Sequence, residues 1–157
     1  MSEIAELMDV MRSLLEVHQE LLVLEEDKEQ GLLRQDVAQL ERCTKEESRY
    51  IQQLLRLEHL REEWVQKWKE RRGVEDSEGL TLSQIARQLP EAERQALEDL
   101  QQQLFEVLQK LQRLNENNRL LLEQSLAYVR YNLGLIAAMQ DPGLYTPDEA
   151  SGQQVLS

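Results

Sequence analysis

The chain has 157 residues, a formal net charge of -12, 31% charged and 4% aromatic residues, six Gly and three Pro. A polypeptide of this length forms one ordinary domain that buries roughly two-thirds of its unfolded surface, and heavy use of Leu, Glu, Gln and Arg favours an all-α fold. The negative charge opposes nucleic-acid binding, which needs clustered Lys and Arg to release counterions from phosphates.

The start, MSEIAELMDV, is acidic and lacks both the basic n-region and the continuous apolar core of a signal peptide. No apolar run approaches the ~20 residues that span a bilayer. Cys43 stands alone, so an intramolecular disulfide is excluded and a reducing compartment fits. These features predict a cytoplasmic protein with no membrane insertion.

Along the chain, Ile4, Leu7, Met8, Met11, Leu14, Leu15, Val17, His18, Leu21 and Leu22 recur at three and four residues. That single stripe predicts a first helix from about Ser2 to Leu33. The stretch LLRQDVAQL is the expected corner, because Asp36 can cap a new helix and Arg34 suits the end of the old one. A second helix then carries Val37, Leu40, Ile51, Leu54, Leu55, Leu57, Trp64, Val65 and Trp68 and stops at Gly73. Its middle, Thr44 to Arg49, is polar on almost every side, which implies weak packing or support from pairs such as Glu41 with Lys45.

The clearest break is GVEDSEGLTLSQIARQLP. Two glycines among short charged side chains mark a loop from about Gly73 to Leu80, after which Thr81 or Ser83 can cap a short helix that halts before Pro90. Pro90 suits the first turn of a last helix. There Leu97, Leu100, Leu104, Val107, Leu108, Leu111, Leu114, Leu121, Leu122, Leu126, Val129, Leu133 and Ile136 continue the apolar stripe. Unbroken, this helix covers ~50 residues, or roughly 75 Å at ~1.5 Å per residue. The predicted fold is therefore an elongated antiparallel bundle of three long helices, with one short helix at a bend and a flexible C-terminal tail. Residues 1–140 form the bundle and 141–157 the acidic tail, by composition.

Within the last helix the heptad positions Leu97, Leu104 and Leu111 are followed by Asn118 and Ser125, so the seam turns polar. A polar residue in such a seam fixes register at some cost in stability. At the same level Leu120, Leu121, Leu122, Leu126, Val129, Leu133, Leu135 and Ile136 widen the stripe beyond what one partner helix covers, which implies a further subunit or a bound partner.

Catalytic chemistry finds little support. His18 and His59 belong to no HExxH-like pattern and are read as lacking metal-ligand neighbours. The run Glu25, Glu26, Asp27 reads as a solvated helix face. There is no Gly-rich phosphate loop and no recognisable nucleophile setting. The expectation is a binding protein with no cofactor, no metal and no enzymatic activity. In the tail, Leu144 and Tyr145 form an aliphatic and aromatic pair between turn-forming prolines, either folded back on the helix tips or serving as a short docking motif.

LNENNRLLLEQSL followed by DPGLYTPDEASG resembles the signature of the FlgN family of flagellar export chaperones. Leu114, Asn115, Asn118, Leu121 and Leu122 fall on the family's motif in the final long helix, and Leu144 and Tyr145 on its tail motif. The resemblance implies a cytosolic type III secretion chaperone that binds the C-terminal helical segments of the hook–filament junction proteins FlgK and FlgL and delivers them to the export gate protein FlhA. Joined to the surplus apolar face, it makes Leu114, Asn118, Leu121, Leu122, Ser125, Leu126, Val129, Leu133 and Ile136 the expected client-binding residues, with Asn118 and Ser125 setting register, and it implies gate docking through Leu144 and Tyr145. The alternative is a self-associating coiled-coil scaffold, whose homodimer interface would be the same apolar surplus.

Overall fold

The computed structural model describes residues 4–73 and 82–140. Among them are four helices and no strand: α1 (Ala5–Arg34), α2 (Val37–Arg72), α3 (Leu82–Arg87) and α4 (Glu91–Gln140). The all-helical class and the order of three long helices and one short one follow the sequence reading. The tail, the loop 74–81 and the capping residue Thr81 lie outside the described residues; Ser83 falls inside α3.

The corner between α1 and α2 is built from local chemistry. Gln35 takes the left-handed conformation (φ 55°), its N–H reaches Leu32 O, and the Asp36 N–H reaches Gly31 O at 2.9 Å. This is the Schellman pattern, which satisfies carbonyls left over at a helix end. Asp36 then accepts from Gln39 N at 3.1 Å and so caps α2, an interaction that contributes about 1 kcal/mol. Gly31 allows the close approach of the two helices: a Cβ there would stand 3.2 Å from Leu40 Cδ2. At the far end of α2, Gly73 (φ 64°) supplies the left-handed stop.

The helices pack with α1 in the centre. Lys28 on α1 meets Glu47 on α2, and Gln39 reaches back to Asp27, whereas Trp64 and Trp68 lie beside the start of α1; α2 therefore runs antiparallel to α1. Helix α4 runs parallel to α1, from Leu97 beside the start of α1, through Val107 and Leu111 beside Leu15, to Asn118 beside Glu25. Among the described residues no Cα of α2 comes within 8 Å of a Cα of α4. The three long helices thus form an open V, with α1 at its base.

Burial is graded along the rod. One end holds the main core: Ile4, Leu7, Met11 and Leu14 of α1, Trp64, Val65 and Trp68 of α2, Ile85 and Ala86 of α3, and Leu97 of α4. Each such fully buried aliphatic side chain contributes about 1.5–3 kcal/mol. Trp64 and Trp68 stack with centroids 5.2 Å apart, and the Arg72 guanidinium lies 3.4 Å from the Trp68 ring centroid. Leu15, Val107 and Leu111 form a smaller second cluster further along. Beyond it the interior becomes polar. In α2 no side chain between Cys43 and Trp64 is fully buried, and its polar middle is tied by Arg49 to Glu46 and by Lys28 to Glu47 rather than by Glu41 to Lys45.

Candidate functional site

The geometry of interest begins at Asn118, the last buried residue of α4. With Glu25 level with Asn118, α1 has about nine residues left and α4 about 22, so α4 projects past the end of α1 by roughly 20 Å at 1.5 Å per residue. At 100° per residue, Leu122, Leu126, Val129, Leu133 and Ile136 fall within an arc of about 80°. That arc continues the same stripe that lower down buries Leu97 and Leu111 and half-buries Leu104. Below Asn118 it is covered by α1; above, it is open, and Leu133 is 61% exposed.

The remaining residues singled out from the sequence are distributed around this face. Leu121 and Ser125 are half-buried at its edge. Leu114 is half-buried in a groove of about 390 Å³ lined also by Leu22, Glu26, Glu29 and Asn117. Asn118 is only 3% exposed and faces α1, so it is not available as a direct contact for a bound chain; it can only position the surface around it. Leu144 and Tyr145 lie outside the described residues.

The structure adds a second apolar face that sequence reading assigned only through Leu120 and Leu135. Tyr128, Tyr131 and Met139 join them on the opposite side of α4, and Met139 is 83% exposed. The signal was present in the sequence as aromatic and aliphatic residues at helical spacing. From Leu120 to Gln140 the only charges are Glu123 and Arg130, in a chain that is 31% charged. A helix apolar on opposite sides is ordinarily enclosed by other helices.

At the root of this projection the three asparagines take separate roles. Asn117 Nδ2 donates to Glu29 Oε2 at 2.6 Å, and Asn118 Nδ2 donates to Glu25 O at 3.0 Å and Glu25 Oε2 at 3.1 Å. Asn115 is exposed and lines a groove of about 450 Å³ between α2 and α4, with Leu21, Ile51, Arg119 and Leu122. Asn118 Oδ1 is buried without a partner among the described residues. A polar node with an unmet acceptor costs stability, which fits a register device rather than a simple stabilising contact.

Glu25 corrects the reading of Glu25, Glu26 and Asp27 as a solvated run: it is 2% exposed. The reason is heptad position, since Ile4, Leu7, Met11, Leu14, His18, Leu21, Glu25, Lys28 and Leu32 step by three and four. Burial, reinforced by the hydrogen bond and negative charge of Glu47, pushes the Glu25 carboxyl up to about 7, against the opposing pull of Asn118 and Lys28. Burial also raises Glu47, but the hydrogen bond from Glu25 and the charge of Lys28, 3.2 Å away, outweigh it and hold Glu47 below the usual carboxylate range.

Other candidate chemistry is dispersed. His18 Nδ1 lies 2.7 Å from Leu14 O, and His59, read as lacking an acidic neighbour, contacts Glu63 at 2.8 Å one turn along. Among the described residues no group of three or more His, Cys, Asp or Glu is placed to hold a metal ion, and no helix is long and apolar enough to cross a membrane.

Comparison with known proteins agrees with the motif in α4. A relative, the uncharacterized protein YvyG of Bacillus subtilis (strain 168), is 24% identical over 135 residues, covering 86% of this chain and 81% of its own. No solved structure matches. The family model described as FlgN protein matches residues 1–152, so an all-helical chain with the asparagine and leucine motif at the root of an uncovered α4 belongs to the FlgN family of flagellar export chaperones.

Proposed function

We propose that this protein is a cytoplasmic chaperone for hook–filament junction proteins of the FlgK and FlgL type. It holds their C-terminal helical segments along α4, prevents premature assembly, and delivers them to an export gate of the FlhA type. Residues 1–140 serve as the holding domain and 141–157 as the delivery tail. The observation that carries this reading is the uncovered apolar projection of α4, nearly free of charge in a strongly acidic protein.

The physical logic is that of a helix laid into an apolar surface. A client end built for polymer contacts is disordered and adhesive before assembly and gains order on binding. Covering five half-exposed aliphatic side chains, Leu122, Leu126, Val129, Leu133 and Ile136, contributes on the order of 5 kcal/mol before ordering costs are subtracted. Leu114, Leu121 and Ser125 border this face, and Asn118 contributes by fixing α4 against α1. Such an interface holds a client yet releases it.

Delivery is assigned to Leu144 and Tyr145 on the strength of the tail motif. Tyr145→Ala is expected to leave client affinity unchanged and to weaken binding of the tail to the cytoplasmic part of the gate protein by about tenfold, as loss of one buried aromatic contact does. Paired titrations of client and gate fragment test this; equal loss of both would show that the sites are not separate.

A further inference from the structure

Past Asn118 the few charges of α4 stand at a spacing that matches the helix to a second copy of itself. Glu123 and Arg130 are one heptad apart, so both project from the same side of the helix, and both are exposed. Arg119 pairs with Glu116 and Glu123 on its own helix, whereas Arg130 forms no ion pair among the described residues. From Tyr131 to Gln140 there is no charge.

The apolar seam beside these charges has the same symmetry. Leu122, Leu126, Val129 and Leu133 follow one another at steps of four, three and four, and all are exposed. Two antiparallel α4 helices related by a twofold axis between residues 127 and 128 place each Leu126 opposite the other copy's Val129, and each Leu122 opposite its Leu133. In that same register Glu123 flanks the seam beside Arg130 of the second copy, and Ser125 flanks the other edge beside Asn132. Arg119 falls opposite Ile136 and ends the apolar run. A parallel pair in register would instead bring the two Arg119 side chains together and leave Glu123 and Arg130 opposite the uncharged Asn118 and Ser125.

The fold leaves room for such a neighbour. Over its last turns α1 meets α4 through Asn117 and Asn118, and Leu122 and Leu126 remain 43% and 45% exposed. On the open side of the V lies the groove lined by Leu21, Ile51 and Leu122. Its charged side chains are engaged within the protein: Glu25 by Asn118, Lys28 and Glu47 by one another, and Arg119 by Glu116. The antiparallel register lays the charge-free stretch after Arg130 of the second copy along this side, so no like charge enters.

We propose that this face of α4 is the interface of an antiparallel homodimer, in which two copies share the seam from Leu122 to Leu133 and each fills the open side of the other's V. Two chains of net charge -12 repel at long range, and the seam is short, so the dimer is weak and reversible. Its side chains are those of the proposed client face. If that reading holds, the dimer shields the face while no client is present and gives way when one binds; the pairing itself requires no client.

Sedimentation of the full-length protein alone, at low salt, tests the pairing. The mass is expected to rise from one chain toward two over roughly 1 to 500 µM, and the association to weaken as salt is added. Glu123→Arg and Arg130→Glu lie on the surface and should each keep wild-type helical content by circular dichroism. Each should weaken the dimer at least ~10-fold, because the twofold axis converts two attractive contacts into two repulsive ones. An equimolar mixture of the two variants should recover the wild-type association to within ~3-fold, since every arginine then meets a glutamate. A monomer throughout this range, a dimer indifferent to both reversals, or a mixture that recovers nothing would overturn the proposal. Client titration is read separately: client binding by a protein that stays monomeric would sink the dimer alone, and a dimer that binds no client would sink the client reading alone.

Discussion

Replacing Leu126 and Leu133 together by Asp is expected to leave helical content and melting temperature close to wild type while lowering affinity for the junction-protein segments by ~100-fold or more. Both side chains are exposed on the C-terminal part of α4, Leu126 level with the end of α1 and Leu133 beyond it, and neither belongs to the buried core of the folded protein. In a complex each aspartate would forfeit about 1 kcal/mol of apolar burial and place a carboxylate where the partner offers no hydrogen bond, and two such changes together reach about 3 kcal/mol. Circular dichroism and calorimetry on the double variant separate the two effects. A variant that binds normally would place the client surface elsewhere, on the Tyr128 and Tyr131 face or in the groove between α2 and α4.

The largest stability effect is expected at the opposite end of the rod. Trp68→Ala should cost about 3–5 kcal/mol and lower the melting temperature by about 10 °C, because the ring is 1% exposed and is held between Trp64 and Arg72 at the junction of α1, α2 and α3. Client affinity measured well below the transition should change little, since the proposed client face lies at the other end of α4. A loss of only about 1 kcal/mol would mean that α3 and the start of α1 collapse readily into the space left by the ring.

Leu126 and Leu133 on one side and Trp68 on the other illustrate a division of labour that runs along the molecule. Stability is concentrated where α3 closes the bundle, and the projecting end of α4 is left without cover. A chaperone for an adhesive segment needs this arrangement, because a binding surface that also formed the core could not be vacated for a client without unfolding.

Much of this plan could be read from local signals in the sequence. The corner at Gln35 and Asp36 follows from capping chemistry that acts over four or five residues, and Asp36 caps α2 as expected. The heptad positions Leu97, Leu104, Leu111 and Asn118 mark the face of α4 turned toward α1, and Ser125 lies half-buried where that cover gives out. Gly31 was the hidden part of the corner: its importance depends on Leu40 arriving beside it, which no local pattern states.

The relations between helices were less legible. Asn118 could be recognised as a polar break in a seam, but its partner could not, because Glu25 is 93 residues away and sat in a run of acids that resembles a solvated face. Heptad counting carried past Leu21 would have placed Glu25 and Lys28 on the inward stripe. The open V also escaped prediction, since it depends on which flank of α1 each neighbour occupies, and a heptad pattern gives only the existence of a partner. The uncovered face of α4 was legible as surplus apolar surface, while its full extent around the helix appeared only once the end of α1 was known.

Calorimetric titration of the full-length protein with the C-terminal segments of the FlgK- and FlgL-type proteins from the same genome decides whether the projecting face of α4 holds a client. Saturable one-to-one binding with a negative heat-capacity change is the predicted result, since that sign reports burial of apolar surface. Absence of binding to segments shown to be soluble and intact, together with a mass in light scattering that rises with concentration, would contradict it and assign the projecting face of α4 to self-association instead.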